Sequence, residues 1–413
     1  MTPPTQAGPA TAPHLDESWL RSRIEELAAI ERPSASEGER AAAELLATRL
    51  REAGARDVRI DAEPEANGTY WVSLGTLAAA GVAAGIAALR GGRLARAAAT
   101  AVGATASALA ADEMPPGRRR FRGLLPKRTA HHVLAELGPA DAERTIVLMA
   151  HHDTAHSAFF FNPAITETLG DRYPGLFENN DTSPPLMWPV IAGPALVAAG
   201  GASGSRALTR VGVAVSAGTV GFMADIALCE VVPGANDNAT GCVALEALSH
   251  ALAEDPTESV RVLLLSTSEE ALCEGMGLFM DRHAHSLPRE STFFLCLDTI
   301  GSPTLTVLRG EGMKAMHDYP AESLELLDST AEDLGIDLVP NLRLRNATDG
   351  VFPLNAGYQC ASVCSCNHLK NPSNYHWPTD TPENVDYSTL ADAVRLSLGV
   401  VRRLDSDWIE PPG

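Results

Sequence analysis

The chain has 413 residues, of which 45% are apolar, and its formal net charge is −20. This length and apolar content allow a large buried core, organised as one large domain with insertions or as two domains. The negative charge argues against sequence-independent binding to nucleic acid, because neutralising phosphates requires clustered Lys and Arg. The composition therefore favours a globular protein whose ligand is neutral or cationic.

The beginning of the chain shows no targeting segment. The stretch MTPPTQAGPATAPHLDESW has no basic n-region and no apolar h-region, so we expect no cleavable secretion signal. Residues 1–13 are predicted to be a disordered tail, and residues 406–413 a second tail. The seven cysteines mostly lie in apolar runs, which favours buried thiols and gives no sign of a disulfide framework.

Two helices are predicted at the start of the folded part. Residues 15–30 alternate charged residues with Leu and Ile at helical spacing. Ser36 and Glu39 form a predicted capping box in front of RAAAELLATRLREAG, which ends at Gly54. Both segments are therefore interpreted as helices.

Seven short and mostly apolar runs are predicted to be β-strands, with helices between them over residues 240–253, 275–284 and 319–334. Continuous apolar strands separated by helices are typical of a largely parallel sheet that is covered on both faces. The fold class is therefore α/β, with a mostly parallel central sheet flanked by helices. The predicted strands are DVRI (57–60), HHVLAEL (131–137), TIVLMA (145–150), VRVLLLS (260–266), TFFLCL (292–297), LTVL (305–308) and CASVCS (360–365).

Two apolar segments, residues 70–111 and residues 185–229, do not fit this plan. Each splits into two apolar stretches around a link that contains arginines, and each is predicted to form a helical hairpin. The arginines are Arg90, Arg93 and Arg96 in the first link and Arg206 and Arg210 in the second.

The hairpins leave two alternatives for the location of the protein. Their apolar stretches are about 15 to 20 residues long, at the lower limit for a membrane span, and the second hairpin carries Asp225. Arginine-bearing links suit cytoplasmic loops, but Arg118, Arg119 and Arg120 beyond the first hairpin weaken that asymmetry. The hairpins are thus either membrane-inserted or membrane-contacting elements, or a helical cap or dimerisation element of a cytoplasmic protein.

Charged side chains collect where three of the predicted strands end. In open α/β sheets, ligands bind outside the carboxyl ends of the strands. Carboxylates at the end of a buried strand are costly unless a cation or a reaction uses them. The residues concerned are His151 and Asp153 after TIVLMA, Glu269 and Glu270 after VRVLLLS, and Asp298 after TFFLCL.

Two further residues extend this set. Asp237 lies in the polar turn GANDNATG before a predicted helix, and His376 lies in the loop NYHWPTDTPENVDY. Imidazole and carboxylates are ligands for zinc or a similar divalent ion, and the surplus of carboxylates favours two ions that share one ligand. Each residue alone would be an ordinary surface or capping residue, but their order along the chain indicates a metal site.

With these motifs the sequence resembles the co-catalytic zinc aminopeptidases of metallopeptidase clan MH, relatives of bacterial leucyl aminopeptidases, glutamate carboxypeptidase and glutaminyl cyclase. The resemblance covers residues 15–69, 130–153 and 234–400. It rests on AHHDT, GANDNATGCVALEAL, SEEALCEGMG, LDTIG and YHWPTDTPENVD, which are highly specific together.

The resemblance implies a zinc exopeptidase fold that is interrupted twice. Its catalytic domain would comprise residues 14–69, 112–153 and 234–405. The first hairpin, 70–111, and an insertion over 154–233 that contains the second hairpin would lie between these parts. In the family the gap between the His-x-Asp motif and the bridging Asp is often short, whereas here it exceeds 80 residues and contains the second hairpin, so substrate size and access are expected to differ. The family's usual Ser-Asp-His motif is replaced by Thr348, Asp349 and Gly350, so the wall of the specificity pocket is expected to differ as well.

The resemblance also implies roles for individual residues. His151 and Asp298 would bind one zinc ion, Glu270 and His376 the other, and Asp237 would bridge the two. Asp153 would orient the imidazole of His151. Glu269 would act as general base on a water shared by the two zinc ions, and Tyr375 would donate to the tetrahedral oxyanion unless it is only a packing aromatic.

The predicted function is a zinc-dependent exopeptidase, in the first instance an aminopeptidase, that acts on peptides or small amides. The alternatives are a carboxypeptidase or amidase with a specialised small substrate, a glutaminyl cyclase with one zinc ion, and a non-catalytic membrane-associated receptor-like module. Retention of His151 beside Asp298, Glu270 and His376 argues for two ions and hydrolysis. No ligand is lost, which argues against the receptor-like module.

Overall fold

The computed structural model describes residues 13–409, and a β-sheet forms the centre of the described part. All seven predicted strands are present, most of them extended by one or a few residues. The strands are β1 (Arg56–Ala66), β2 (Arg128–Leu137), β3 (Arg144–His151), β4 (Val260–Thr267), β5 (Thr292–Leu297), β6 (Thr304–Val307), β7 (Gly310–Glu311), β8 (His317–Asp318), β9 (Leu338–Val339), β10 (Arg343–Leu344) and β11 (Gln359–Cys366).

The helices include those predicted from the 3.6-residue periodicity and several in the insertions. They are α1 (Glu17–Ala28), α2 (Glu37–Glu52), α3 (Tyr70–Arg90), α4 (Arg93–Glu113), α5 (Pro163–Arg172), α6 (Gly175–Glu178), α7 (Trp188–Ser203), α8 (Arg206–Leu228), α9 (Thr240–Glu254), α10 (Glu274–His283), α11 (Ala321–Leu334), α12 (Val351–Asn355) and α13 (Tyr387–Ser406).

The main sheet has eight strands in the order β1-β2-β4-β3-β5-β11-β6-β9. Its four middle strands, β4, β3, β5 and β11, run parallel to one another. The antiparallel pairings are at the flanks, between β1 and β2, β2 and β4, and β11 and β6. The predicted α/β class with a mostly parallel central sheet is therefore confirmed. The short strands β7, β8 and β10 form a second sheet.

Helices cover both faces of the sheet, as the uninterrupted apolar strands require. Ile146 and Leu148 of β3 belong to the apolar cluster under α1, α2, α9 and α13. Val147 and Met149 point to the opposite face and pack with α10 and α12. This alternation has the period of two that strand geometry imposes. The strands are therefore held rigidly, which fixes the positions of the residues at their ends.

The predicted capping box at the start of α2 is only half formed. Ser36 Oγ accepts a hydrogen bond from the Glu39 backbone N–H at 3.1 Å, as predicted. The prediction that Glu39 completes the box is wrong, because its buried carboxylate instead accepts from the backbone N–H of His131 at 2.8 Å. Glu39 thus ties α2 to β2 and is not part of a local cap.

The two predicted hairpin segments come together as one four-helix bundle. The segment 70–111 forms α3 and α4, which are joined at Gly91 and Gly92, and the segment 185–229 forms α7 and α8. Near the sheet, Leu74 of α3 and Met223 of α8 share an apolar cluster with Leu272 and Cys273. The bundle is therefore packed directly against the segment that follows Glu269 and Glu270.

The predicted tails lie largely outside the described residues. Of the segment 1–13, only its last position is described, as the start of a 3₁₀ turn over Pro13–Leu15. At the other end, α13 extends to Ser406 and residues 410–413 are outside the described part. The seven cysteines are all free thiols.

Candidate metal centre

Three neighbouring parallel strands deliver acidic and imidazole side chains to one edge of the sheet. His151 is the last residue of β3, Asp298 directly follows β5, and Glu269 and Glu270 follow β4. In the sheet, β3 lies between β4 and β5 and runs parallel to both. Their carboxyl ends therefore meet, which is where ligands bind in open α/β sheets.

Asp237 reaches the same edge from the turn that precedes α9. The carboxylate of Asp380 holds this turn, because it accepts from the backbone N–H of Asn236 at 2.8 Å and of Asp237 at 3.0 Å. Arg32 donates to the carbonyl oxygens of Pro233 at 2.8 Å and Gly234 at 2.7 Å. The turn is thus fixed by side chains from both ends of the chain.

The carboxylate of Asp237 lies between the two imidazoles. Its Oδ1 is 3.2 Å from His151 Nε2, and its Oδ2 is 3.3 Å from His376 Nε2. On the first side, His151 Nε2 is 4.0 Å from Asp298 Oδ1, and on the second side, His376 Nε2 is 3.1 Å from Glu270 Oε2. Each imidazole thus faces Asp237 and one further carboxylate.

These five side chains form two sets of three possible metal ligands. One set is His151, Asp237 and Asp298, and the other is Asp237, Glu270 and His376; in each, the donor atoms lie within 4.8 Å of one another. Asp237 belongs to both sets. The structure therefore brings together all five predicted ligands and divides them with Asp237 in the middle.

Several polar atoms at this centre have no hydrogen-bond partner although they are buried. They include His151 Nε2, Asp237 Oδ2 and Glu270 Oε1, for which the neighbouring atoms lack hydrogen-bond geometry. Buried polar atoms are normally satisfied, so unsatisfied ones that converge on one point need a partner. Imidazole nitrogens and carboxylate oxygens are the donors that zinc prefers. The residues present therefore fit a divalent cation of this type.

The electrostatics of the centre point the same way. Burial raises the pKa of Asp298 to about 8; the charge of His151 opposes this shift, and the nearby carboxylates of Asp237 and Asp349 add to it. Burial alone would lower the pKa of His376, but the carboxylates of Glu270 and Asp237 raise it to about 10. Without a metal ion the centre thus compensates its crowded carboxylates by binding protons, and a divalent cation could take the place of those protons.

Asp153 lies behind His151 and is fully buried. Its Oδ1 is 3.2 Å from His151 Nδ1, so it holds the ring with Nε2 directed at Asp237. It also accepts from the backbone N–H groups of Glu269 at 2.8 Å and Glu270 at 3.1 Å, and from the hydroxyl of Ser34. Asp153 therefore fixes His151 and the Glu269-Glu270 segment together.

Glu269 and Tyr375 lie at the rim of the centre and are partly exposed. A donor oxygen of Glu269 lies within 4.8 Å of donor atoms of His151 and Glu270. Desolvation raises the pKa of Glu269 well above its ordinary value; His151 opposes the shift, and the Glu270 carboxylate strengthens it. The Tyr375 ring stacks on His376 with centroids 3.8 Å apart, and burial raises the pKa of its hydroxyl. Both groups thus lie beside metal ligands, Glu269 beside His151 and Glu270, and Tyr375 beside His376.

Three further residues of the site were not singled out by their sequence pattern. Arg32 is fully buried and donates to five backbone carbonyls, and Asp380 is buried behind the Asp237 turn. Asp349 was noted only as part of a divergent motif, yet its Oδ1 is buried without a hydrogen-bond partner. Asp380 lies within the closing motif YHWPTDTPENVD, which is the one signal that could have identified it.

The divergent motif has a steric explanation. A Cβ added at Gly350 would lie 2.3 Å from Ser362 Oγ and 2.5 Å from the hydroxyl of Tyr319, so no larger side chain fits there. The space is occupied by buried polar groups, in which Thr348 donates its backbone N–H to Glu311 at 2.7 Å. The histidine that the family has in this motif is therefore excluded by this packing.

The insertion that carries the second hairpin contributes to the mouth of the site. The ring of Phe161 lies 4.8 Å from that of His376 and 5.7 Å from that of Tyr375, measured between centroids. Phe222 of α8 is 6.0 Å from Phe161. The base of the helical bundle therefore reaches the edge of the metal centre, as the long gap between the first two motifs suggested.

Solved structures with similar folds include three relevant examples. A Zn-dependent exopeptidase from Parabacteroides distasonis is 14% identical with a TM-score of 0.53, and the match covers 95% of this chain and 99% of that one. The aminopeptidase from Aneurinibacillus sp. strain AM-1 is 14% identical with a TM-score of 0.53, and the match covers 97% of this chain and 95% of that one. The glutaminyl cyclase from Tannerella forsythia is 14% identical with a TM-score of 0.55, and the match covers 94% of this chain and 99% of that one. At these identities the similarity establishes the fold.

The fold is similar to that of a solved zinc-dependent exopeptidase, and the five clustered side chains fit a divalent cation. Residues 217–401 match the model of peptidase family M28. This matched segment contains four of the five clustered ligands. The resemblance to the co-catalytic zinc aminopeptidases is thereby confirmed, and the protein is a zinc-dependent peptide hydrolase. No curated protein sequence matches the chain.

Proposed function

We propose that the protein is an aminopeptidase that binds two zinc ions through a shared Asp237. The observation that carries this proposal is the division of the five ligands into two sets with Asp237 in both. In this assignment His151 and Asp298 hold one ion, and Glu270 and His376 hold the other. A single ion would leave one imidazole and one carboxylate buried beside each other with unsatisfied atoms.

Zinc, when bound here, would activate a water molecule and polarise the carbonyl of the scissile amide. Glu269 is placed to take a proton from that water, and its raised pKa keeps it able to return the proton to the leaving amine. Tyr375 stays protonated because burial raises its pKa, so its hydroxyl can donate to the developing oxyanion. Asp153 acts indirectly, by orienting His151 and the backbone of Glu269.

The charge around the site favours a substrate with a free amine over one with a free carboxylate. Among residues 13–409, no Lys or Arg side chain forms an ion pair with Glu269, Glu270, Asp298 or Asp349. The buried arginines near the site include Arg32, whose guanidinium is occupied by backbone carbonyls, and Arg122, which is paired with Glu113 and donates to the carbonyl of Ala271. A carboxypeptidase would need a cation to hold the terminal carboxylate. Glu270 and Asp298 are zinc ligands in this assignment, so Glu269 and Asp349 are the acids that are left to attract an ammonium group.

The residues of the site give less support to two other functions. A glutaminyl cyclase with one zinc ion would not need the His151, Asp237 and Asp298 set in addition to the second set. A receptor-like module without catalysis would have no use for Glu269 beside an intact ligand set. Both remain as outcomes of the experiment that tests the proposal.

The test combines metal analysis with a panel of substrates, using the full chain purified in detergent. We expect about two zinc ions per chain and hydrolysis of aminoacyl arylamides, with little turnover of peptides blocked at the N-terminus. Glu269→Gln should lower kcat by about 10²- to 10⁴-fold and leave the zinc content unchanged. The matched control is Glu143→Gln, at an exposed position outside the site.

The same panel contains the results that would overturn the proposal. One tightly bound ion together with cyclisation of N-terminal Gln would establish the cyclase. Preference for peptides with a blocked N-terminus and a free carboxylate would establish a carboxypeptidase. Full activity of Glu269→Gln, or wild type without amidase activity at full zinc loading, would remove Glu269 from the reaction.

A further inference from the structure

The four-helix bundle of α3, α4, α7 and α8 projects from the sheet domain as two adjoining hairpins. α3 starts at Tyr70 and α8 ends at Leu228, and the domain-proximal parts of all four helices pack in one apolar cluster with Leu272 and Cys273, which follow Glu269 and Glu270. The opposite ends are the tight turns at Gly91–Gly92 and Gly204–Ser205, which are referred to as the tip. At the tip, a Cβ on Gly204 would lie 2.5 Å from Arg96 Nη1, so the two hairpins adjoin there.

Small residues fill the interior of the bundle. A Cβ added at Gly103 of α4 would lie 2.6 Å from the carbonyl oxygen of Pro194 in α7, and one at Gly212 of α8 would lie 2.6 Å from the backbone nitrogen of Val197. The helix backbones therefore approach each other closely. Ser216 and Thr209 are also buried between the helices. Interfaces made of Gly, Ala, Ser and Thr are characteristic of helices that associate in lipid.

Large apolar side chains lie on the outside of the bundle. In the apolar windows of α3, α4 and α8, only 39%, 22% and 28% of the residues are buried. Val72 is 45% exposed, Val102 41% and Val211 51%, and these three belong to three different helices. The exposed apolar surface is therefore spread over three of the four helices. So large an exposed apolar surface marks an interaction site, because soluble monomers rarely carry one.

The charges and the aromatic rings of the bundle lie at its two ends. Residues 70–89, 97–111 and 211–224 contain no Asp, Glu, Lys or Arg. The basic residues near the tip are Arg90, Arg93, Arg96, Arg206 and Arg210. At the base are Tyr70, Trp71 and Trp188, together with Phe159 and Phe160, which are 69% and 51% exposed. Long basic side chains and aromatic rings at opposite limits of an apolar band are typical of membrane interfaces.

We propose that this bundle is inserted in a phospholipid bilayer, with the sheet domain resting on one surface and the tip at the other. The spanning candidates α3, α4 and α8 have 21, 21 and 23 residues. At 1.5 Å per residue they are about 32 to 35 Å long, which matches a hydrocarbon core of about 30 Å. α7 is shorter and packs against α4 and α8. The metal centre, at the base of the bundle, would then lie close to the membrane surface.

A second copy of the chain does not account for the same surface. A twofold interface uses one patch on each subunit. Here the exposed apolar residues lie on α3, α4 and α8, so one interface would leave part of them in water. Lipid covers all sides at once. The proposal therefore takes lipid as the partner of the bundle and makes self-association an outcome of its test.

The experiment measures insertion of the full chain into vesicles of phosphatidylcholine and phosphatidylglycerol. Wild type is expected to float with the vesicles after an alkaline carbonate wash. Val102→Lys and Ala217→Lys, at exposed positions near the middle of α4 and α8, place a charge in the apolar band and are expected to lower the inserted fraction about tenfold or more. The matched control is Leu94→Lys: Leu94 is 88% exposed but lies at the tip beside Arg93, where a lysine is tolerated.

The three variants separate lipid from the other occupants. If the bundle were a soluble cap, Val102, Ala217 and Leu94 would be equivalent exposed sites, and all three lysines would leave the protein soluble and active. If it were a dimer interface, the wild type would purify without detergent as a dimer that lysines dissociate. Either result, or wild type that stays in the carbonate supernatant, overturns the proposal. Zinc content and aminopeptidase activity are assayed on the same samples, so a failed substrate panel does not affect this readout.

Discussion

The sheet domain and the helical bundle use apolar residues in opposite ways. In the sheet domain, large apolar residues such as Leu264, Leu295 and Val363 have no exposed surface. In the bundle, Ser73 and Ser216 are fully buried, and Val211 and Leu228 are exposed. The sheet domain therefore has the residue distribution of a protein surrounded by water, and the bundle has the distribution of one with an apolar surrounding.

This difference shows that the forces holding the two regions together are not the same. Burial of large side chains away from water stabilises the sheet domain. Removing a large side chain from the surface of the bundle loses little contact with the rest of the protein. The bundle is instead held by close contact of helix backbones, as at Gly103 and Gly212, which favours van der Waals packing as its main source of stability.

The two regions are nevertheless joined where the chemistry takes place. Leu272 and Cys273, which follow the Glu269-Glu270 pair, pack in the same cluster as Leu74 and Met223 of the bundle. The Cys273 thiol also donates to Glu269 Oε1 at 3.0 Å. A movement of the bundle base would therefore be transmitted to the proposed general base over a few contacts.

The two regions should differ most in how much unfolding free energy is lost when a leucine is replaced by alanine. Leu264→Ala, in the middle of β4, should lower the free energy of unfolding of the sheet domain by about 2 to 5 kcal/mol, because the cavity is fully enclosed. Leu208→Ala, at a position of α8 that is 38% exposed, should cost less than about 0.5 kcal/mol. Urea unfolding in detergent, followed by tryptophan fluorescence, measures both. Equal costs would contradict the comparison.

A smaller effect is expected from enlarging glycines in the bundle. Gly103→Ala should destabilise it by about 1 to 3 kcal/mol, since the added methyl group meets the backbone of α7. Gly218→Ala is the matched control: nothing lies within 4 Å of its Cβ, so the change should be neutral or stabilise α8 by up to about 1 kcal/mol. Thermal unfolding in detergent measures both variants. Equal destabilisation would show that close helix packing does not stabilise the bundle.

The smallest effect is the pH dependence of stabilisation by zinc. In the metal-free protein the pKa of Asp298 is raised from 3.8 to about 8, and that of His376 from 6.5 to about 10. The folded state therefore binds more protons than the unfolded state across both windows, and the metal-free protein loses stability as the pH rises through them. Zinc binds the deprotonated ligands. The rise in Tm on adding zinc should thus be larger at about pH 8 than at about pH 5.5.

A scanning calorimetry series with and without a chelator tests this expectation. The control is Glu270→Gln, which removes one ligand and should reduce the zinc-induced rise at every pH. A rise in Tm that is independent of pH in wild type would mean that the five clustered groups are not the ones that zinc deprotonates.

Much of the sheet domain could be predicted from its sequence, because its signals are local. Runs such as TFFLCL and VRVLLLS are short, apolar and followed by polar residues, and they form β5 and β4 almost at the predicted limits. The capping prediction at Ser36 was right for the same reason and wrong for Glu39, whose partner His131 lies far along the chain. The roles of Arg32 and Asp380 likewise depend on partners remote in sequence.

The sequence by itself determined which segments are strands and helices, which side chains follow the strands, and that two apolar segments differ from the rest. These properties depend on neighbouring residues, so they can be read along the chain. Only the tertiary structure decided that both hairpins build one bundle, that its large apolar side chains face outward, and that its base adjoins the metal centre. Contacts between distant segments depend on how whole surfaces fit, and that information is not contained in any one segment.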